Sequence, residues 1–199
     1  MKTPLRNIIV CLSGMYALNT SLMAQAPAYT WAKGIGNTGA DVGARMVTDA
    51  SGNTYTTGSF TGTVDFNPAI AGTFNLTSAG GTDIFVCKLD ASGNFVWAVN
   101  MGGTSDDAGQ GIALDATGNV YVTGVFKTTA DFNLASPGTN TLTAAGGDDV
   151  FVCKLTSTGG YAWAVGTGST VDDDGNAITL DATNNVLITG NIGATGTAD

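Results

Sequence analysis

The sequence predicts an all-β protein made of repeated four-stranded units. The first observation is a 66-residue repeat: Trp31, Trp97 and Trp163 are equally spaced, and FVCKL at Phe85–Leu89 returns unchanged at Phe151–Leu155. The second is that all 16 acidic residues are Asp, which favours turns, whereas Glu, a good helix former, is absent. A period of this length indicates supersecondary units that bury their faces against one another.

Four strands are predicted in each unit, and the second unit defines them best. They are Ile112–Asp115, Asn119–Phe126, Asp149–Leu155 and Tyr161–Val165. The third strand is apolar on both faces, which is typical of a sheet packed between neighbouring sheets. Between the second and third strands, an Asp-Phe-Asn segment and the Thr-rich stretch TNTLTAA predict an extra hairpin at the edge of the sheet.

The first two strands of each unit are joined by a recurring turn. DASGN at Asp49 becomes DATGN at Asp115 and DATNN at Asp181. Such loops commonly contain a type I turn followed by a residue in the left-handed region. We expect the Asp to cap the turn and Gly52 to take the positive φ, a conformation that Asn184 tolerates in the third copy.

The N-terminal segment 1–24 is predicted to be an export signal. MKTPLR is a basic n-region, Ile8–Leu18 is an apolar h-region, and cleavage is expected after Ala24. A membrane anchor is the alternative, but Asn19 interrupts an apolar run that is short for a span of about 20 residues.

Charge excludes some partners. Removal of residues 1–24 takes away Lys2 and Arg6 and leaves 5 basic and 16 acidic residues, a net charge of −11. A chain this acidic is expected to repel nucleic acid and anionic membrane surfaces, and no membrane insertion is expected after cleavage.

The repeat resembles a known family. The motifs at Gly109–Gly124, Asp149–Leu155 and Gly159–Trp163 are similar to the SBBP β-propeller repeat of secreted bacterial proteins, and the longer form with DFN resembles repeats of the Bacteroidetes group. The resemblance implies a toroid of four-stranded blades and a secreted or cell-surface location. It implies no enzymatic activity, because fold alone does not give function.

The predicted division of residues 25–199 is a leading outer strand at 28–34, units at about 35–100 and 101–166, and an incomplete unit at 167–199. A closed propeller needs about 4–8 blades. We therefore expect an open arc, a partial propeller truncated relative to its natural gene. In the complete protein, the leading strand would finish the last blade.

Two segments resemble ligand sites. GIGNTG at Gly34–Gly39 matches G-x-G-x-x-G, but its repeat equivalents do not, so a loop between blades is favoured over a cofactor site. The carboxylate clusters Asp106–Asp107 and Asp172–Asp174 could bind Ca²⁺, which takes 6–8 oxygen ligands. The first unit has only Asp41 there, and a solvated rim loop is favoured over a metal site.

The remaining candidates have structural interpretations. Cys87 and Cys153 occupy equivalent positions and are expected to be free, buried thiols, because face-packed sheets lie about 10 Å apart, too far for a disulfide. Trp97 and Trp163 could stack on sugar rings, but their repeated positions favour packing between blades.

The predicted function is a non-catalytic exported scaffold or adhesion module that binds an unidentified protein or glycan. The chain has no histidine and no Glu, and no catalytic, cofactor-binding or metal-binding residue is assigned. The alternative is part of an extracellular lyase or hydrolase that uses Asp as acid and base, with its catalytic portion outside this chain.

Overall fold

A computed structural model describes residues 8–11, by backbone alone, and residues 30–69, 71–134 and 140–193. These ranges contain fourteen strands and no helix, which confirms the all-β prediction. The strands are β1 (Ile8–Cys11), β2 (Trp31–Gly34), β3 (Val42–Thr48), β4 (Thr54–Phe60), β5 (Thr63–Asp65), β6 (Asn75–Thr77), β7 (Asp83–Leu89), β8 (Phe95–Gly103), β9 (Ala108–Leu114), β10 (Val120–Asp131), β11 (Thr141–Leu155), β12 (Tyr161–Thr167), β13 (Asp174–Leu180) and β14 (Val186–Asn191).

The strands form antiparallel, β-propeller-like blades. Blade 1 has the order β3-β4-β7-β8, and blade 2 has the order β9-β10-β11-β12. Strands β13 and β14 pair with each other as the first two strands of blade 3. The first strands of successive blades are neighbours, so the described blades stand side by side in an arc. The predicted four-stranded unit is thereby confirmed.

Strand β2 corresponds to the fourth strand of the other blades and pairs antiparallel with β1. In this pairing Ile8 lies opposite Gly34 and Cys11 lies opposite Trp31. Strand β1 falls inside the predicted export signal, so cleavage after Ala24 would remove it from the sheet. The signal itself stays a prediction.

The extra hairpin is present in both units, but it does more than extend an edge. In blade 1 it is the separate pair β5 and β6, whereas in blade 2 it continues β10 and β11 beyond a bulge. The phenylalanine of each Asp-Phe-Asn segment turns back into the core. Phe66 packs 5.1 Å from the Phe85 ring, and Phe132 packs 5.0 Å from the Phe151 ring.

The main core lies between blades 1 and 2, as expected for sheets packed face to face. Its buried side chains include Tyr55, Ile84, Val86 and Met101 from blade 1 and Ile112, Val122, Phe126 and Phe151 from blade 2. Cys87 and Cys153 are free and buried, as predicted. Burial raises the pKa of both the Cys87 and the Cys153 thiols to about 12.

The recurring turn has the predicted geometry. Gly52 and Gly118 both have φ +81°, and Asn184 has φ +64° in the third copy. The Asp49 carboxylate accepts hydrogen bonds from the Ser51 and Asn53 amides, at 2.9 and 3.0 Å. The sequence therefore encodes this turn locally, through a side-chain cap and one residue that tolerates positive φ.

Successive blades are joined by a tryptophan that lies on a glycine. The Trp31 indole donates to the Ala91 carbonyl at 3.0 Å, and the Trp97 indole donates to the Ser157 carbonyl at 3.3 Å. A Cβ on Gly93 would lie 2.8 Å from the Trp31 ring, and a Cβ on Gly159 would lie 2.9 Å from the Trp97 ring. Each glycine also has positive φ.

We expect Gly159→Ala to destabilise the protein more than Gly118→Ala. Both glycines have similar positive φ, which costs an alanine about 1–2 kcal/mol. At Gly118 the new methyl group would meet only the Ser157 Cβ, at 3.5 Å, whereas at Gly159 it would overlap the Trp97 ring. That overlap is expected to add about 1–3 kcal/mol. Urea unfolding measures the loss in the free energy of unfolding of each variant. Equal losses would contradict a steric constraint of the Trp97 ring on Gly159.

Candidate functional site

The two ends of the blades differ in the length of their connections. One end carries only five-residue turns, at 49–53, 90–94, 115–119, 156–160 and 181–185. The other end carries the loops between blades and the long hairpin connections 61–82 and 127–148. We call the first the turn face and the second the hairpin face. Insertions in repeat proteins map to loops on one face, often the binding face.

A carboxylate organises each loop on the hairpin face, and it is buried in the second and third copies and half-buried at Asp41 in the first. Asp107 accepts the Gly103 amide at 2.7 Å and the Lys127 amide at 2.9 Å. The equivalent Asp41 accepts from the Asn37 and Thr61 amides in the same way, with one donor four residues earlier and one twenty residues later. Each Asp thus ties the loop between blades to the end of a second strand.

The third copy repeats this arrangement. Asp173 accepts from the Ser169 and Gly193 amides, each at 2.6 Å. Burial opposes ionisation of Asp173, but these hydrogen bonds outweigh it and lower its pKa. Both Asp107 and Asp173 are fully buried, so the prediction that they belong to a solvated rim loop is wrong. At this position, hydrogen bonds from backbone amides take the place of hydrogen bonds from water and stabilise the charge of the carboxylate.

Their neighbours Asp106 and Asp172 are exposed, in accord with the solvated loop, but they too bind backbone. Asp106 accepts the Thr82 amide at 2.9 Å, and Asp172 accepts the Asp148 amide at 3.1 Å. Within the described ranges, no three metal-ligating side chains come together in a group. The oxygens suggested for Ca²⁺ therefore serve the backbone of the loops.

The glycine-rich segment at 34–39 lacks the context of a cofactor site. It follows β2 but leads into β3, whereas a dinucleotide-binding loop leads into a helix. The Asn37 amide donates instead to Asp41, and the Asn37 side chain donates to the Thr61 carbonyl at 2.7 Å. The interpretation of this segment as a loop between blades is confirmed.

Trp31 is buried and Trp97 and Trp163 are half-buried, so none of the three forms an open platform for a sugar. Trp97 packs edge-on against Tyr55 with ring centroids 6.1 Å apart, and Trp163 packs against Tyr121 at the same distance. Together with the Trp97–Gly159 contact, this geometry confirms packing between blades for Trp97.

The hairpin face differs between repeats beside the blade 1–blade 2 junction. Lys127 forms an ion pair with Asp148 at 3.0 Å, which raises the Lys127 pKa. The equivalent residues of blade 1 are Thr61 and Thr82, so blade 1 lacks this pair. Next to Lys127, Thr128 has φ +53°, an unfavourable conformation for a β-branched residue.

Sequence reasoning missed this strained position, although a signal was present. The repeat aligns Thr128 with Gly62, which has φ +68°. A glycine-to-threonine difference at a position of positive φ predicts strain once the turn is known. The Thr128 hydroxyl lies 2.9 Å from the Ser105 hydroxyl, so the strained residue contacts the loop between the blades.

A cavity of about 360 Å³ lies on the face of blade 1 that points away from blade 2. Its lining includes Gly43, Met46, Phe60 and Phe85. Comparison with blade 2 identifies the cavity as a blade face that no described blade covers. Gly109 of blade 2 is equivalent to Gly43, and a Cβ on Gly109 would overlap Thr57 of the neighbouring blade 1. A Cβ on Gly43 would meet only Thr56 of its own blade, at 3.8 Å. The cavity therefore has the character of a packing surface for sheet, not of a small-molecule pocket.

Comparison with known proteins supports the repeat architecture. No protein-family model matches the chain. An uncharacterized WD repeat-containing protein of Acanthamoeba polyphaga mimivirus is 26% identical over an alignment of 212 positions that covers 96% of this chain. The chain spans 15% of the length of that relative. No helix among the described residues is long and apolar enough to cross a membrane.

We expect Thr128→Gly to stabilise the protein. Relief of strain at a β-branched residue with positive φ gains about 1–3 kcal/mol, and the extra freedom of glycine in the unfolded chain costs about 0.5–1 kcal/mol. The net gain is expected to be about 1 kcal/mol in urea unfolding. Thr129→Gly is the matched control, because Thr129 pairs with Thr143 in the hairpin and has no positive φ. It should destabilise, and a loss of stability in both variants would contradict strain at Thr128.

Proposed function

We propose that this chain is part of an exported, non-catalytic β-propeller module that binds a protein or glycan through its hairpin face. The proposal rests on the difference in length between the connections at the two ends of the blades. The turn face is reduced to five-residue turns, whereas the hairpin face holds every long connection of the described blades. Loops positioned by a rigid scaffold commonly carry recognition.

The carboxylates of this face favour binding over catalysis. Asp107 and Asp173 are buried and hold two backbone amides each, so neither reaches a substrate in solution. Asp106 and Asp172 are exposed, but each accepts a backbone amide from the end of the preceding hairpin connection. These two residues occupy equivalent positions in successive repeats, which suits a structural role, so the lyase or hydrolase alternative would place its catalytic portion outside this chain.

The finer family assignment is part of this proposal. The SBBP-type repeat is supported by the motifs around Asp115, Asp149 and Trp163, and export is supported by the charge and apolar pattern of residues 1–24. The viral relative supports the repeat architecture and leaves the ligand open. A secreted or cell-surface location follows from the proposed signal.

The binding face can be tested with two matched arginine substitutions. Thr104 is exposed on the hairpin face and Ser92 is exposed on the turn face. We expect a ligand found by screening the wild-type protein on glycan and extracellular-protein arrays to lose at least tenfold in affinity with Thr104→Arg. Ser92→Arg should leave the affinity unchanged. Loss only with Ser92→Arg would place the site on the turn face and contradict the proposal.

Export has its own test. N-terminal sequencing of the protein recovered from the medium or cell surface of an expressing bacterium is expected to begin at Gln25. The reason is that small residues follow the apolar segment at Ala24 and Ala26, and cleavage after Ala26 would place Pro27 next to the cut. Replacement of Val10 by Lys should block export, because it interrupts that segment, and replacement of Lys33 by Arg is a neutral control. Retention of an intact N-terminus in the exported protein would contradict a cleaved signal.

A further inference from the structure

We propose that Asp83 and Asp107 form a coupled pair of buried carboxyl groups that retains a proton at the junction of blades 1 and 2, so that the junction is weakened when this proton is lost. Asp83 is the first residue of β7 in blade 1, and Asp107 lies in the loop that leads into blade 2. The proposal concerns the linkage between the blades and is independent of the ligand proposed above.

The two carboxyl groups crowd a single glycine. A Cβ on Gly102 would lie 2.8 Å from Asp83 Oδ1 and 3.0 Å from Asp107 Oδ2. The two oxygens therefore lie less than about 6 Å apart, since both are within 3.0 Å of that point. Both Asp side chains are fully buried, so little solvent separates them. Two buried carboxylates this close disfavour simultaneous ionisation.

Hydrogen bonding indicates which partner holds the proton. Asp107 accepts two backbone amides, one on each oxygen, and these stabilise its charged form. Asp83 accepts one, from the Ala79 amide to Oδ2 at 3.1 Å. Asp83 Oδ1 is buried and has no hydrogen-bond partner, which is costly for a charged carboxylate oxygen. A proton on this oxygen removes the charge and supplies a donor.

Electrostatics agree with the geometry. Burial, with a further contribution from Asp107, raises the pKa of Asp83 to about 7. Burial, with contributions from Asp106 and Asp148, raises the pKa of Asp107 to about 6, although two amides lower it. Lys127, whose backbone amide binds Asp107, places its ammonium group 3.0 Å from the Asp148 carboxylate. The side-chain amide of Asn100 opposes this rise in the Asp83 pKa. The same side chain donates from Nδ2 to the Thr77 carbonyl at 3.1 Å, so it is not committed to Asp83.

A proton fits this site better than a metal ion. Calcium takes 6–8 oxygen ligands, whereas this site offers the oxygens of two carboxyl groups. The nearby carbonyls are engaged as well: the Thr82 carbonyl accepts the Asp107 amide at 2.7 Å, and the Thr104 carbonyl accepts the Gly81 amide at 3.3 Å. At the next junction Asp149 lies on Gly168 in the same way, and its Oδ1 is also buried without a partner. Hydrogen bonds lower the Asp173 pKa there, so the proposal concerns the junction of blades 1 and 2 alone.

The pH dependence follows from the sign of the shifts. Both folded-state pKa values lie above the unfolded value of 3.8, so the folded state binds protons more tightly. The pair therefore contributes stability that is complete below pH 4 and is lost as the pH rises to about 7. Above that range, two buried negative charges face each other between the blades.

The experiment is a carboxyl ¹³C NMR titration of the full chain labelled at Asp. We expect one resonance to titrate near pH 7 in the wild-type protein and to disappear in Asp83→Asn. Asp106→Asn is the matched control: it removes a charge from the same loop at an exposed position, and the resonance should persist. If no wild-type carboxyl titrates above pH 5.5, the proposal is wrong, and this result needs no variant to fold.

Urea unfolding supplies the second measurement. The unfolding midpoint of the wild-type protein should fall between pH 4 and pH 8, and this fall should be smaller in Asp83→Asn, because an amide there does not titrate. An equal fall in both proteins would overturn the proposal. The titration is repeated with excess calcium chloride. If calcium abolished the resonance near pH 7 in the wild-type protein, the site would hold a cation and the proposed protonated carboxyl pair would be excluded.

Discussion

The contact on which this architecture depends is the one between the fourth strand of a blade and the outer turn of the next. A tryptophan ring lies against a glycine and its indole nitrogen donates to a carbonyl of the same turn, in Trp31–Gly93 and again in Trp97–Gly159. Since the ring occupies the space of a side chain, the turn must bend at a residue that has none. Close approach at the inner strands has the same requirement, because Gly109 leaves no room for a Cβ beside Thr57. Sequence spacing, turn geometry and blade separation are therefore set together.

The choice of Asp over Glu has a physical basis that extends beyond turns. On the turn face, the short side chain reaches amides two and four residues later, as Asp115 does with Thr117 and Asn119. On the hairpin face, the same reach lets Asp107 bridge two amides of different segments in the core. A longer side chain would have to fold back at a cost in rotamer entropy. A chain with no Glu is thus consistent with carboxylates that act as fixed backbone acceptors.

Periodicity was sufficient to predict the strands, the turns and the packing between blades. The equal spacing of the tryptophans and the turn at Gly52, Gly118 and Asn184 all rest on local chemistry repeated at one period. Burial of Asp107 could not be predicted, because an Asp-Asp pair in a loop is usually solvated and its amide donors lie four residues before and twenty after it. The burial of Phe132 could not be predicted either, because its ring contacts with Phe126 and Phe151 depend on how the hairpin folds back onto the blade.

The interior and the hairpin face of the two complete blades obey different constraints. Interior positions such as Cys87 and Cys153 are identical because each must fit the same gap between sheets. At the hairpin face, Thr61 and Gly62 are replaced by Lys127 and Thr128, and the second pair brings an ion pair and an unfavourable backbone conformation. The turn adopts this conformation in both blades, but it does not require a threonine, because the glycine at the equivalent position adopts it without strain. Strained residues cluster at functional sites, so Thr128 directs attention to the rim of the blade 1–blade 2 junction as one part of the proposed binding face at which the repeats differ.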